Sequence, residues 1–107
     1  MKYLRLKKKK DFTRVLKNGK RVHTETLTLV YLPAEESKFA VCVGKKHGKS
    51  VQRNRIKRLL REALRTAPQI NAPLWILLMP KVAEEYSFAA FQRDIGKIFK
   101  REKLVEN

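Results

Sequence analysis

The sequence predicts an α+β fold: a helix, two or three strands, a long helix, a further strand and a closing helix around a mixed sheet. Three observations carry this. Apolar residues recur at helical spacing in Ile56, Leu59, Leu60, Ala63 and Leu64, and again from Phe88 to Phe99. Between Thr26 and Val43 the pattern changes to alternation of polar and apolar side chains. The run Leu74 to Met79 is continuously apolar, of strand length and bounded by Pro73 and Pro80, as expected of a central strand buried on both faces. A chain of 107 residues with 43% apolar content supports a single domain, 1–107, with one modest core.

Taken in order, residues 1–10 read as an irregular, flexible basic arm, with Tyr3, Leu4 and Leu6 available to anchor it. Asp11 to Asn18 predicts a short helix with Phe12, Val15 and Leu16 on one side and Arg14 and Lys17 outside. Gly19 stops it, where a left-handed conformation costs glycine nothing. Phe12 has two readings: a core anchor, or an exposed ring on which a base stacks. After an early strand around Lys20 to His23, Leu27, Leu29 and Tyr31 face the core while Thr26, Thr28 and Val30 face away. Pro33 to Ser37 forms a turn. Lys38 to Val43 is the next strand, antiparallel to the last if a hairpin joins them, with Ala40 and Cys42 on the face shared with the threonines. That face of small side chains, beside a helix, makes a shallow trough suited to an extended strand of nucleic acid. Ser50 is the expected N-cap of the long helix and Ser87 of the last, which runs to Glu102 with Phe88, Phe91, Ile95, Ile98 and Phe99 as its buried stripe. Trp75 belongs to the core on this reading.

Charge then narrows the function. The chain has 26 Lys and Arg against 10 Asp and Glu, a net charge of +16, which points to a nucleic acid before an anionic membrane surface. The surplus concentrates in the long helix. Arg53, Lys57, Arg61 and Arg65 lie on the flank and back of its apolar stripe, with Asn54, Arg55 and Arg58 nearby and Lys45, Lys46 and Lys49 just before it. A solvated helix face carries mixed signs; here Glu62 is the only acid. Like charges at this spacing repel by about 0.2–0.5 kcal/mol per pair, so a polyanionic partner is implied.

Other classes find little support. No apolar segment reaches bilayer length, and no apolar core follows the lysine run as a signal peptide requires. The single cysteine, Cys42, rules out an internal disulfide and fits a reducing, cytosolic compartment. His23 and His47 lie far apart, read as surface or loop residues, and with one cysteine make no ordinary zinc site. The stretch from Gly44 to Ser50 imitates a nucleotide-cradling loop but has three residues between its glycines where that motif needs four.

Gly48-Lys49-x-Val51-x-Arg53-Asn54-Arg55-x-Lys57-Arg58-x-x-Arg61-Glu62, together with Asp11-Phe12, the Lys45-Lys46 pair and the buried strand after the long helix, resembles the signature of the bacterial ribonuclease P protein family. The resemblance runs from about Leu6 to Phe99. It implies an accessory subunit of a ribonucleoprotein that removes the five-prime leader of precursor tRNA, with the RNA subunit carrying the magnesium-assisted chemistry and no catalytic residue in the protein. It further implies that the RNA subunit contacts the arginine-rich helix at Arg53, Asn54, Arg55, Lys57, Arg58 and Arg61. The single-stranded leader would lie in a trough mapping onto Phe12, Leu16, Thr28, Val30 and Lys46. A left-handed crossover through the long helix is implied too, against the usual right-handed rule. Leu16 and Val30 stand where many relatives carry aromatic residues, which would shift leader stacking toward Phe12, and Gly44 where serine is common. Two rival readings are a basic ribosomal or ribosome-assembly protein, which shares charge and fold type, and a protein-only nuclease, which would need clustered acids.

Overall fold

The computed structural model describes residues 3–105. The elements are β1 (Leu4–Arg5), α1 (Lys9–Asn18), β2 (Lys20–His23), β3 (Leu27–Pro33), β4 (Lys38–Val41), a 3-10 turn (Lys45–His47), α2 (Ser50–Arg65), β5 (Leu74–Pro80) and α3 (Phe88–Arg101). The strands form one mixed sheet in the order β1-β4-β5-β3-β2.

The apolar run of β5 dictates this order. A strand without a polar face needs a neighbour on each edge and cover on each side. It therefore sits between β3, antiparallel to it, and β4, parallel to it. The hairpin that would pair β3 with β4 does not form, because β5 lies between them. The parallel pair β4 and β5 is joined through α2, since parallel neighbours need a long crossover.

Each face of the sheet carries its own cluster, in place of the one core expected. On one side α2 and α3 pack Ile56, Leu60, Phe91 and Phe99 against Leu27, Leu29, Ile76 and Leu78. On the other, α1 lays Val15 over Val30, Ala40 and Leu77, with Leu6 beside them. Asp94, a buried acid on α3, ties the larger layer to the start of β3. It accepts from the Thr26 hydroxyl at 2.6 Å and the Thr26 N–H at 3.1 Å. Thr26 thus precedes the strand and turns toward α3, not toward the trough.

Several local expectations are corrected. The basic arm is not irregular: Leu4–Arg5 pairs in parallel with Lys38 and Phe39, Leu6 is buried, and α1 begins at Lys9. Residues 1 and 2 of that arm lie outside the described residues. Gly19 has φ −76°, an ordinary value; glycine is needed because a Cβ would stand 2.5 Å from the Val15 carbonyl oxygen and 2.8 Å from Val30 Cγ1. Lys49, not Ser50, occupies the N-cap of α2, and the Ser50 hydroxyl accepts instead from Arg53 Nη2 at 3.3 Å. Ser87 does cap α3, accepting from the Ala90 N–H at 3.3 Å.

Candidate RNA interface

Burial of Ile56, Leu60, Ala63 and Leu64 fixes the rotation of α2 and hence where its cations go. Arg53, Lys57 and Arg61 follow one another at four-residue intervals along one flank, all half-buried. Asn54, Arg55, Arg58 and Arg65 are more exposed. Among the described residues, none of Arg53, Lys57 and Arg61 has a carboxylate within ion-pair range; the ion pair within α2 joins Arg65 to Glu62 at 2.7 Å. Arg65 is thereby partly neutralised, whereas its neighbours are not.

The Nε atoms of Arg53 and Arg61 are buried without a hydrogen-bond partner. Such a donor is costly to leave unpaired. Burial lowers the pKa of Arg61, and the nearby Arg5 and Arg58 guanidinium groups lower it further. An arginine in that position keeps its charge and lacks only an anion.

The same flank walls a trough. A concavity of about 440 Å³ brings Asn54, Lys57 and Arg61 opposite Phe12, with Arg5 and Lys7 from the N-terminal strand and the loop after it. A second, of about 470 Å³, sets Lys46 and Lys57 above Cys42 and Met79. Lys57 and Val41 line both, so the two run together from Phe12 to Lys46. Arg5 and Lys7 were missed as site residues; the arm's cations looked mobile until β1 anchored them.

The lysine loop is held rigidly at its back. Gly48 has φ +115°, where a side chain would be strained, and a Cβ would meet Gln52 Cγ at 3.2 Å. His47, expected as a surface or loop residue, lies in the 3-10 turn but is buried, with Nδ1 2.8 Å from the Tyr86 hydroxyl. The Ala83 N–H donates to that same hydroxyl at 3.2 Å. With His47 turned inward, Lys45, Lys46 and Lys49 are left exposed.

The residues expected to hold a leader separate into groups. Phe12 and Lys46 line the trough. Phe12 combines its two readings, packing on the smaller core while half-exposed. Thr28 is half-buried, pairs in register with Met79, and has its hydroxyl 2.8 Å from His23 Nδ1. Leu16 is 38% exposed but lines neither concavity. Val30 is 0% exposed, sealed beneath α1, and offers no surface to a ligand. The small-residue face is open only at its ends because α1 covers its middle. Trp75, expected in the core, is half-buried, with Arg14 and Lys38 over its ring.

Fold and surface together define a small basic α+β protein whose long helix and sheet edge present cations that have no carboxylate partner among the described residues. The chain belongs to the ribonuclease P protein family, whose model, Ribonuclease P, matches residues 1–103. It is 37% identical over 105 residues to the ribonuclease P protein component of Thermus scotoductus, covering 98% of this chain and 64% of that one. It is 33% identical to that of Bacillus velezensis, covering 95% and 91%. Against the relative from Coprothermobacter proteolyticus, identity is 50% over 60 residues and the match spans half of that protein's length. The solved Staphylococcus aureus RNase P protein superposes with a TM-score of 0.82 at 25% identity, covering 98% of this chain and all of that one. Among the described residues, no helix is long and apolar enough to cross a membrane.

Proposed function

We propose that this chain is the protein subunit of ribonuclease P, binding the catalytic RNA and the five-prime leader of precursor tRNA in the cytoplasm and aiding removal of that leader. The observation that carries this is the row Arg53, Lys57 and Arg61, without a carboxylate partner among the described residues, whose Lys57 and Arg61 line a trough that ends at Lys46, in a chain of this family.

The protein's part is electrostatic and positional. Two RNAs brought together repel, and cations between them offset that repulsion. The side of α2 outside the trough, with Arg55 and Arg58, meets the RNA subunit, and Asn54 stands at the border between the two. The trough takes the leader as a single strand, with phosphates on Lys46, Lys57 and Arg61 and one base against Phe12. Fixing the leader aligns the scissile phosphate with magnesium held by the RNA. In this reading the metal belongs to the RNA, and the protein carries no chemical step. Family membership leaves the ribosomal reading without an observation in its favour.

The test is to add the purified chain to ribonuclease P RNA and labelled precursor tRNA at modest magnesium. Faster release of the leader is expected. Unchanged cleavage across a range of protein concentrations would refute the assignment.

A further inference from the structure

The helix α1 crosses one face of the sheet and divides it. Val30, Leu77 and Ala40 lie in a row beneath it, in register across β3, β5 and β4. Two residues further along each strand, on the same face, Leu32, Trp75 and Lys38 form a second row beyond the helix. Arg14, two residues after Phe12 and so on the other side of α1, reaches over this row. Its Cζ stands 5.7 Å from the centre of the Trp75 ring, and Lys38 Nζ stands 5.6 Å from it. A concavity of about 910 Å³ opens here, walled by the turn that carries Glu35 and Glu36.

A tryptophan used only for packing would be covered, as Leu77 is. Trp75 instead presents its indole to an open cleft whose other polar groups are two cations and two carboxylates. Lys38 is 3.9 Å from Glu36, and Arg14 has no ion-pair partner among the described residues. The cations over the ring mark its face as one on which a flat group can lie, as a stacked base does. The carboxylates disfavour a phosphate at the turn and favour one beside α1, which gives a bound nucleotide a direction.

We propose that this cleft is a second RNA contact, outside the trough, that takes one nucleotide of single-stranded RNA with a preference for guanine. The base stacks on Trp75 in place of one of the cations. Its phosphate pairs with Arg14, and its adjacent N1–H and N2–H donors face the carboxylates of Glu35 and Glu36. Uracil has one such donor and a smaller ring, so it binds less well. The site does not depend on the ribonuclease P reading, because a nucleotide on Trp75 is detected without any cleavage.

Trp75 is the only tryptophan of the chain, so intrinsic fluorescence reports this cleft directly. The full chain is titrated with GMP and with UMP, using free N-acetyltryptophanamide to correct for absorption. Saturable quenching by GMP is expected at a concentration at least about five-fold below that for UMP. Arg14→Ala should raise the GMP concentration required by about five-fold, and Phe12→Ala should leave it unchanged. Circular dichroism verifies that each variant is folded. Absence of saturable quenching, equal response to the two nucleotides, or loss of the response in Phe12→Ala would overturn the proposal. If quenching fails while leader release is still stimulated, only this second contact is lost.

Discussion

Arg5 and Arg61 approach the same trough from different elements, a two-residue strand and the fourth turn of α2, close enough that Arg5 lowers the Arg61 pKa. The fold brings two like charges together without a carboxylate between them. Such an arrangement raises the energy of the free protein and is relieved when an anion enters.

Arg5→Ala is therefore expected to weaken binding of a labelled single-stranded leader by roughly five-fold, the value of about one charge-assisted contact of ~1 kcal/mol. Stability should move by no more than about 0.5 kcal/mol, because Arg5 is exposed. Fluorescence anisotropy and a thermal melt measure the two effects. Unaltered affinity would show that β1 carries no RNA contact.

Asp94 should matter for stability and not for RNA. Asp94→Ala strands the Thr26 N–H and hydroxyl in a part-buried site, for a loss of about 2–3 kcal/mol in denaturant unfolding. Burial raises the pKa of this carboxyl, but hydrogen bonds from Thr26 and Arg93 outweigh it and hold it below the usual range. Its contribution is therefore present above the unfolded value of about 3.9 and is lost as pH falls through the folded value. The variant should show a shallower acid limb than the parent protein. An equal acid limb would mean that Asp94 is not the linked group.

His47 gives a different pH window. Burial, with Lys46 adding to it, holds its pKa below the ordinary value of about 6.5. Its stabilisation is complete above that value and declines as pH falls through the folded pKa. The melting temperature should drop between pH 7 and pH 5, and His47→Gln should flatten that drop. Parallel curves for the two proteins would remove His47 as the cause.

Cys42 serves as a probe of the trough floor. Burial pushes its thiol pKa up, only partly countered by Lys57. Alkylation by iodoacetamide at pH 7.5 should be slower than for free cysteine, since the thiolate is the reactive form. Added single-stranded leader should slow it further, by at least about three-fold if Lys46 and Lys57 hold RNA above it. An alkylation rate indifferent to RNA would place the strand elsewhere.

Periodicity made α2, α3 and β5 legible, because each has a burial pattern that only one element satisfies. The cation row of α2 followed directly, since burying Ile56 and Leu60 leaves Arg53, Lys57 and Arg61 no other place. Strand order was not legible: alternation in β3 and β4 suits a hairpin equally well, and only the two-sided apolar demand of β5 separates them. The trough was half legible. Small side chains at Val30 and Ala40 signalled close approach, but what approaches is α1, not RNA. Asp94 and His47 escaped because a buried acid or histidine leaves no periodic trace; its partners, Thr26 and Tyr86, are remote in sequence.

The central claim is that Lys57 and Arg61, with Lys46 at the far end of the trough, act as one phosphate-binding row. The most direct measurement is the salt dependence of binding to a labelled single-stranded leader for the parent chain and for the Lys57→Ala, Arg61→Ala double variant. The account predicts weaker binding and a log–log slope shallower by about 1.5, two phosphate contacts fewer. An unchanged affinity and an unchanged slope in a folded double variant would contradict it.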